Sequence, residues 1–294
     1  MMYSSVTDSR EAISAVETRR ASLLELRFEK SLDGRSFIAH QYASYPYHIC
    51  RAQYFDADPA GMATLYLQSC SGGLFENDQL KFKMVAGAGT AVHLTSQAST
   101  IVHSARGAGK ASHCGTIIAL PDSLVEYLPE PTILFPDSHL ETRLDLQLGQ
   151  NASIMVCDCF LLHDPLGKGA APALLDASLN ATLADGMIIA RDRMRIEGDT
   201  WHASQPGAFG EWTCQGIVLV FTGLVPSNLL CSEIRNAISA MDDLYAGVTT
   251  LSQSRGICAR FLSHEAVSLK AAMTAAWKAT RKLLCGLEPA VRRK

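Results

Sequence analysis

Serine, histidine and aspartate are all abundant in this chain, so nucleophilic catalysis is the first chemistry to test. A nucleophile elbow follows the pattern Gly-x-Ser-x-Gly. Residues 70–73 (Cys-Ser-Gly-Gly) lack the leading glycine, and nothing places a histidine beside Ser71. Residues 107–110 (Gly-Ala-Gly-Lys) lack the spacing and the following hydroxyl residue of a phosphate-binding loop. The sequence therefore predicts neither a catalytic triad nor nucleotide hydrolysis, which favours a protein that is not an enzyme.

Cysteine and histidine side chains offer a second chemistry, metal binding. Cys157, Cys159 and His163 supply thiol and imidazole ligands of the kind that suit nickel or zinc, although their spacing differs from that of a closed Cys-x-x-Cys site. In a strand, Cys157 and Cys159 would share one face. Two interpretations stay open: a β-rich, zinc-dependent hydrolase that uses these three residues, or two thiols buried in a β core. The pattern favours the second.

A glycine-rich turn lies at the centre of the most distinctive stretch of the chain. Gly72 and Gly73 begin the turn and Asp78 closes it, between an apolar run at 62–67 and an alternating run at 80–84. Glycine and aspartate suit tight turns because they tolerate unusual backbone angles or bond to nearby backbone groups. Asp78 has two open interpretations, a side-chain hydrogen bond that fixes the turn or a functional carboxylate.

A second glycine turn, at residues 87–89, leads into a further strand at 90–95. Short connections between successive strands are typical of an antiparallel meander. We therefore expect the strands at 62–67, 80–84 and 90–95 to pair with one another in that order.

Strand patterns recur over most of the chain, and helical patterns appear only near its end. Helical spacing begins at Ser227, which can cap a helix, and again at Ser263, with Gly286 placed to end the second helix. A run of strands followed by two helices argues for an all-β or α+β arrangement and against alternating βαβ units. The other predicted strands are 24–28, 36–42, 47–54, 112–120, 124–128, 139–148, 152–162, 187–197, 216–222 and 256–262.

The length of 294 residues and a hydrophobic content of 48% suffice for one large domain with a sizeable core. Residues 1–20 are polar and predict a flexible arm. We expect a single domain over 21–294, with a β-rich body at 21–222 and a helix-rich C-terminal part at 223–294.

Charge and hydropathy exclude several partner classes. The formal net charge of −3 provides no electrostatic footprint for nucleic acid. No stretch reaches the roughly 20 apolar residues that a bilayer span requires, and the N-terminus lacks the apolar core of a secretory signal. The nine scattered cysteines favour reduced thiols. The sequence therefore predicts a cytoplasmic protein that binds neither nucleic acid nor a membrane.

The order of the motifs resembles the UreD (UreH) family of urease accessory proteins. The resemblance rests on the turn from Gly72 to Asp78, the glycine turn at 87–89 and the threonine-containing strand after it. Residues 127–136 (Tyr-Leu-Pro-Glu-Pro-Thr-Ile-Leu-Phe-Pro) and the closing segment 276–291 extend it, so that it covers the chain from about residue 22 to the C-terminus.

The resemblance implies a mainly β (α+β) fold, with β-helix-like stacked sheets and a small C-terminal helical part. It also implies a chaperone or scaffold that binds a UreF-like helical partner, a UreG-like GTPase through that partner, and the urease apoenzyme, in a dimer of heterocomplexes. Nickel would pass transiently through a polar passage, with no tightly bound cofactor. The residues carried over as motif or passage candidates are Gly72, Gly73, Glu76, Asp78, Glu126 and Glu130, with Asp78, Cys157, Cys159 and His163 as candidate metal ligands.

The chain departs from the family pattern at two places. Family members commonly have two glycines before the motif aspartate, where this chain has Glu76 and Asn77. Where many members have an acidic residue followed by Gly-Arg, this chain has residues 159–164 (Cys-Phe-Leu-Leu-His-Asp). A third hypothesis, a purely structural binding module, predicts that the carboxylate of Asp78 is dispensable.

Overall fold

The computed structural model describes residues 21–202 and 210–292. The predicted flexible arm, residues 1–20, lies outside this part of the chain. The described residues form 17 strands and two α-helices. The strands are β1 (Ser22–Lys30), β2 (Ser36–Ala43), β3 (Tyr47–Ile49), β4 (Ala63–Ser69), β5 (Gln79–Ala86), β6 (Ala91–Ser96), β7 (Thr100–Val102), β8 (Ala111–Ala119), β9 (Leu124–Tyr127), β10 (Thr132–Leu134), β11 (His139–Leu148), β12 (Ser153–Leu162), β13 (Leu174–Leu183), β14 (Ile188–Glu197), β15 (Cys214–Phe221), β16 (Tyr245–Thr250) and β17 (Gly256–Ser263). The helices are α1 (Ser227–Ile238) and α2 (Ala266–Cys285).

The strands form two stacked sheets. The seven-stranded sheet has the order β14-β13-β11-β8-β5-β1-β2, and the ten-stranded sheet contains the path β16-β17-β15-β12-β9-β6-β4-β3, with β10 pairing β12 and β7 beside it. From β4 to β13 the chain passes repeatedly from one sheet to the other, and the neighbours β5, β8, β11 and β13 are parallel. This winding resembles a β-solenoid and confirms the predicted fold class of stacked, β-helix-like sheets with a helical C-terminal part.

The predicted antiparallel meander is wrong. β4 pairs with β6 in parallel, with Ala63 opposite Val92. β5 lies in the other sheet, parallel to β1 and β8. The two glycine turns therefore carry the chain across to the facing sheet and back. Alternation in a sequence tells which side chains face inward, but it does not identify the partner strand.

Most predicted strands are present, and the first two form an antiparallel hairpin around Asp33 and Gly34. Four strands, β7, β10, β13 and β16, were not predicted. β7 and β10 are only three residues long, too short for a periodic pattern. β13 (Leu-Leu-Asp-Ala-Ser-Leu-Asn-Ala-Thr-Leu) contains several residues of low strand propensity, and its parallel neighbour β11 supplies the pairing that holds it.

Both helices pack on the outer face of the ten-stranded sheet, where Leu230, Ile234 and Leu269 join an apolar cluster with β12, β15 and β17. The predicted cap at Ser227 is wrong: Pro226 occupies the N-cap position, and the Ser227 hydroxyl instead accepts a hydrogen bond from the N–H of Gly256 at 3.1 Å. Gly286 ends α2 as predicted. No helix among the residues described is long and apolar enough to cross a membrane.

Gly73 explains why the turn contains glycine. Its φ of +135° is a conformation that L side chains rarely adopt, and a Cβ there would lie 2.4 Å from the carbonyl oxygen of Ile101. The neighbouring Gly72 has open space around its Cα, so a Cβ there meets nothing within 4 Å. The close approach between the turn and β7 therefore requires glycine at position 73 and does not require it at position 72.

We expect Gly73→Ala to lower the free energy of unfolding by about 1–3 kcal/mol, the usual cost of forcing a side chain into such a conformation. Gly72→Ala is the matched control and should change it by less than about 0.5 kcal/mol. Urea denaturation followed by circular dichroism measures both. Equal effects of the two substitutions would contradict this explanation of the turn.

Candidate functional site

A cavity of about 350 Å³ lies between the two sheets. It separates two buried apolar clusters of the inter-sheet space, and side chains of both border it, Phe82 and Leu219 from one and Leu140 and Phe160 from the other. Protein interiors are usually packed too tightly to leave such a volume. The facing sheets therefore enclose a space large enough for several water molecules or a hydrated ion.

Three residues that border the cavity each carry a buried polar atom with no hydrogen-bond partner among the described residues. These atoms are the hydroxyl of Tyr47, Nε2 of His113 and Oε1 of Gln215. Burial lowers the pKa of His113 to about 4, so its imidazole is neutral near pH 7. A buried polar atom without a partner costs free energy. The cavity is therefore suited to a polar occupant that satisfies these atoms.

Asp158 adds a carboxylate to the same space. Its neighbours on β12, Cys157 and Cys159, face the helices, so Asp158 faces the opposite sheet and borders the cavity. Burial, reinforced by the nearby carboxylate of Asp192, raises the pKa of Asp158 to about 7, although the N–H of Cys159 donates to it at 3.1 Å. Asp158 can therefore exchange a proton for a cation near neutral pH.

Charged residues border the cavity at two places. Arg260 of β17 forms an ion pair with Asp192 of β14, which links the two sheets. Glu130 also borders the cavity, and its carboxylate accepts a hydrogen bond from Lys270 at 2.8 Å. Half-exposed ion pairs of this kind contribute little stability, about 0–1 kcal/mol. They can therefore open at low cost.

Of the six predicted motif and passage residues, Gly72, Gly73 and Glu130 border this cavity. Asp78 fixes the turn, because its Oδ2 accepts the N–H of Phe75 at 2.8 Å. The carboxylate of Glu76 accepts three backbone N–H groups of the facing loop at 106–109, which lower its pKa. Neither Glu76 nor Asp78 is among the residues that border the cavity.

Glu126 lies on the outer face of the ten-stranded sheet, beneath α2. Its two carboxylate oxygens accept hydrogen bonds from Arg281 at 2.7 and 2.6 Å. Oε2 also accepts a hydrogen bond from Nδ1 of His93 at 2.7 Å. Burial alone raises the pKa of Glu126, but these hydrogen bonds outweigh it and lower the pKa to about 2. Burial lowers the pKa of His93, so a neutral imidazole donates to an ionised carboxylate.

The ion pairs continue to the C-terminal tail. Asp56 contacts Arg281 at 3.2 Å and Arg292 at 2.5 Å, and it also accepts the N–H of Ala290 at 2.9 Å. Two carboxylates and two guanidinium groups thus balance in charge within a buried network. This network attaches α2 and the tail to the β body, and it places Glu126 among paired charges outside the cavity.

The predicted metal ligands are not brought together. Cys157 and Cys159 share a face, as the alternation predicts, but that face belongs to the apolar cluster under the helices. His163 packs against Phe135, with ring centroids 5.4 Å apart. Within 21–202 and 210–292, no three His, Cys, Asp or Glu side chains lie where they could hold one metal ion. The zinc-hydrolase alternative therefore gains no support from these residues.

Tyr47, Asp158 and Gln215 were not among the predicted site residues. Asp158 carried a usable signal, because it is the only charged residue in the otherwise uncharged run of β12. A carboxylate in a strand covered on both sides requires a partner or a polar space. Tyr47 and Gln215 carried no such signal, since their unpaired atoms become visible only when the two sheets face each other.

We expect Arg281→Met to lower the free energy of unfolding by about 3–5 kcal/mol, because it leaves the buried carboxylate of Glu126 without its ion-pair partner and with only the hydrogen bond from His93. The exposed Arg143, paired with Asp145 on the outer surface, is the control, and Arg143→Met should cost no more than about 1 kcal/mol. Urea denaturation at pH 7 measures both. Equal costs would contradict the assigned role of Arg281.

The pH dependence of stability provides a second check. The folded-state pKa of Glu126, about 2, lies below its ordinary value of 4.5, so its contribution is present above pH 4.5 and is lost as the pH falls towards 2. Glu126→Gln removes this titration. We therefore expect the free energy of unfolding of the wild type to fall more steeply below pH 4.5 than that of the variant.

Comparison with known proteins agrees with this architecture. The profile of the family described as "UreD urease accessory protein" matches residues 20–294. "Urease accessory protein UreD 1" of Pseudomonas syringae pv. syringae is 36% identical over 278 residues, which cover 95% of this chain and 96% of that protein. The protein of the same name from Pseudomonas syringae pv. tomato is 35% identical, over 92% and 94% of the two chains. The chain belongs to the UreD family of urease accessory proteins.

Proposed function

We propose that this chain is a non-enzymatic, cytoplasmic chaperone that helps incorporate nickel into the urease active site. The observation that supports the proposal most directly is the cavity between the sheets, whose mainly apolar lining includes a few polar residues. Tyr47, His113 and Gln215, each with a buried atom that has no hydrogen-bond partner among the described residues, and Asp158 all border this one space. We propose that nickel passes through this cavity as cargo.

The composition of the lining suits transfer better than storage. Oxygen and imidazole ligands bind divalent nickel, and a complete set of protein ligands would hold the ion tightly. Asp158 supplies one carboxylate, and the described residues supply no cluster of three ligands around it. A single carboxylate with a pKa of about 7 binds a cation weakly and releases it when a proton returns. The ion would therefore be bound transiently.

Gly72, Gly73 and Glu130 give the proposed passage one end, and Asp192 with Arg260 give it the other. The partners proposed for these ends are a UreF-like helical protein, a UreG-like GTPase bound through it, and the urease apoenzyme, within a dimer of heterocomplexes. The support for these partners is membership of the family. The GTPase would supply the nucleotide hydrolysis for which this chain has no phosphate-binding loop.

We expect Asp158→Asn and Ala177→Leu to lower the nickel content of urease several-fold when each variant is co-expressed with urease and the partner proteins. The first removes the carboxylate from the cavity, and the second fills space, because Ala177 borders the cavity from β13. Nickel in purified urease is measured by mass spectrometry. The control is Asp145→Asn, which removes a carboxylate bonded to Arg143 on the outer surface.

Co-purification distinguishes a passage from a binding scaffold. If the chain conducts nickel, both cavity variants still co-purify with urease and the partners while nickel content falls. Unchanged nickel content with intact complexes would refute the passage and leave the scaffold role. Loading should also weaken below pH 7 in the wild type, since protons then compete with the cation at Asp158.

A further inference from the structure

The two outer strands of the seven-stranded sheet differ sharply in charge. β14 has five charged residues among its ten, whereas β2 (Ser-Phe-Ile-Ala-His-Gln-Tyr-Ala) has no lysine, arginine, aspartate, glutamate or proline. Charged residues and proline on an edge strand prevent another strand from pairing with it. Charge therefore protects the β14 edge against strand addition, whereas β2 has no charge and only one irregularity, the extra residue Ala39 opposite the step from Arg27 to Phe28.

The outer side of β2 is available for backbone pairing. Its first residue, Ser36, donates its N–H to the carbonyl of Gly61. From Phe37 to Ala43, β2 makes backbone hydrogen bonds only to β1 among the residues described. Phe37 and Tyr42 are 40% and 50% exposed at the two ends of this segment. Exposed aromatic residues beside an open edge are typical of a surface that is covered by a partner.

A groove of about 620 Å³ runs beside this edge. β2 contributes Ile38 and Gln41 to one wall, and residues 49–54, next to β3 of the other sheet, form the second wall. Ile38 and Gln41 lie opposite the buried Phe28 and Leu26 of β1, so the groove is on the inward side of β2. A strand added to the β2 edge would therefore direct its inward side chains towards this groove.

The lining of the groove indicates the chemistry of its occupant. Ile38 and Ile49 offer apolar contacts, while Arg51 is exposed and forms no ion pair with any described residue. An extended strand directs alternate side chains to opposite faces. A segment that alternates apolar residues and carries one acidic residue would therefore match Ile38, Ile49 and Arg51.

We propose that β2 is a docking edge for an extended segment of a partner protein, which pairs with it as an additional strand of the seven-stranded sheet and places a carboxylate against Arg51. Backbone hydrogen bonds would supply most of the affinity, and the two isoleucines with Arg51 would supply selectivity. This docking edge is separate from the cavity, so it does not depend on the proposed nickel passage.

The test uses the full chain and a fluorescein-labelled peptide of the same length as β2, with alternating valine and threonine and one glutamate. We expect the peptide to bind with a change in fluorescence anisotropy and to perturb NMR signals of β2 amides. Methylation of the peptide nitrogens on one edge should weaken binding at least about tenfold, since each lost pairing removes affinity. Ala39→Lys on β2 should weaken it similarly, because the lysine blocks the edge.

Charge exchange tests the selectivity. Arg51→Glu should weaken binding of the glutamate peptide and strengthen binding of the same peptide with lysine in place of glutamate. Arg191→Glu on β14 is the matched control and should change the affinity for neither peptide. Equal binding of the methylated peptide, or equal effects of Arg51→Glu and Arg191→Glu, would overturn the proposal. If the protein self-associates and Ala39→Lys abolishes this, a second copy of the chain is the occupant of the β2 edge. If deletion of residues 1–20 makes the peptide bind more tightly, that segment is the occupant.

Discussion

The structure depends on the rule that a charge cannot be buried alone. Glu126 lies under α2 with its carboxylate ionised, and Arg281 and His93 supply every hydrogen bond that it needs. Removing one member of such a group leaves an uncompensated charge in a medium of low polarity. Because Arg281 lies on α2 and its neighbour Arg292 lies on the tail, this pairing fixes the helical part to the β body.

The carboxylates on the two faces of the ten-stranded sheet differ in how completely they are paired. On the outer face the carboxylates of Glu126 and Asp56 are paired with arginine, which indicates a structural role for both residues. On the inner face Asp158 and Gln215 border an open volume, and Gln215 has an unpaired oxygen. Incomplete pairing is costly to a fold. Unpaired buried atoms also occur under α2, on Trp277 and Thr280, so what distinguishes the site from the core is the open volume that its polar residues border.

The chain's departures from the family pattern have physical explanations in the turn. Asn77, in place of glycine, has a φ of +68°, which asparagine tolerates better than most residues. Glu76 turns its carboxylate towards three N–H groups of the loop at 106–109. Asp164 likewise accepts the N–H groups of Leu166 and Ala170 and shapes the loop after β12. Glu76, Asn77 and Asp164 therefore shape loops, and none of the three borders the cavity.

The sequence pattern by itself determined a mainly β chain with two C-terminal helices and most of its strands, because alternation and helical spacing are local properties; the stacked, β-helix-like arrangement was implied by the family resemblance. It also located the turn at Gly73 and placed Cys157 and Cys159 on one face. Only the tertiary structure decided that β4, β5 and β6 lie in two sheets, that Glu126 meets Arg281 across 155 residues, and that Asp158 faces a cavity. Contacts between distant segments depend on how the sheets stack, and no local pattern specifies that arrangement.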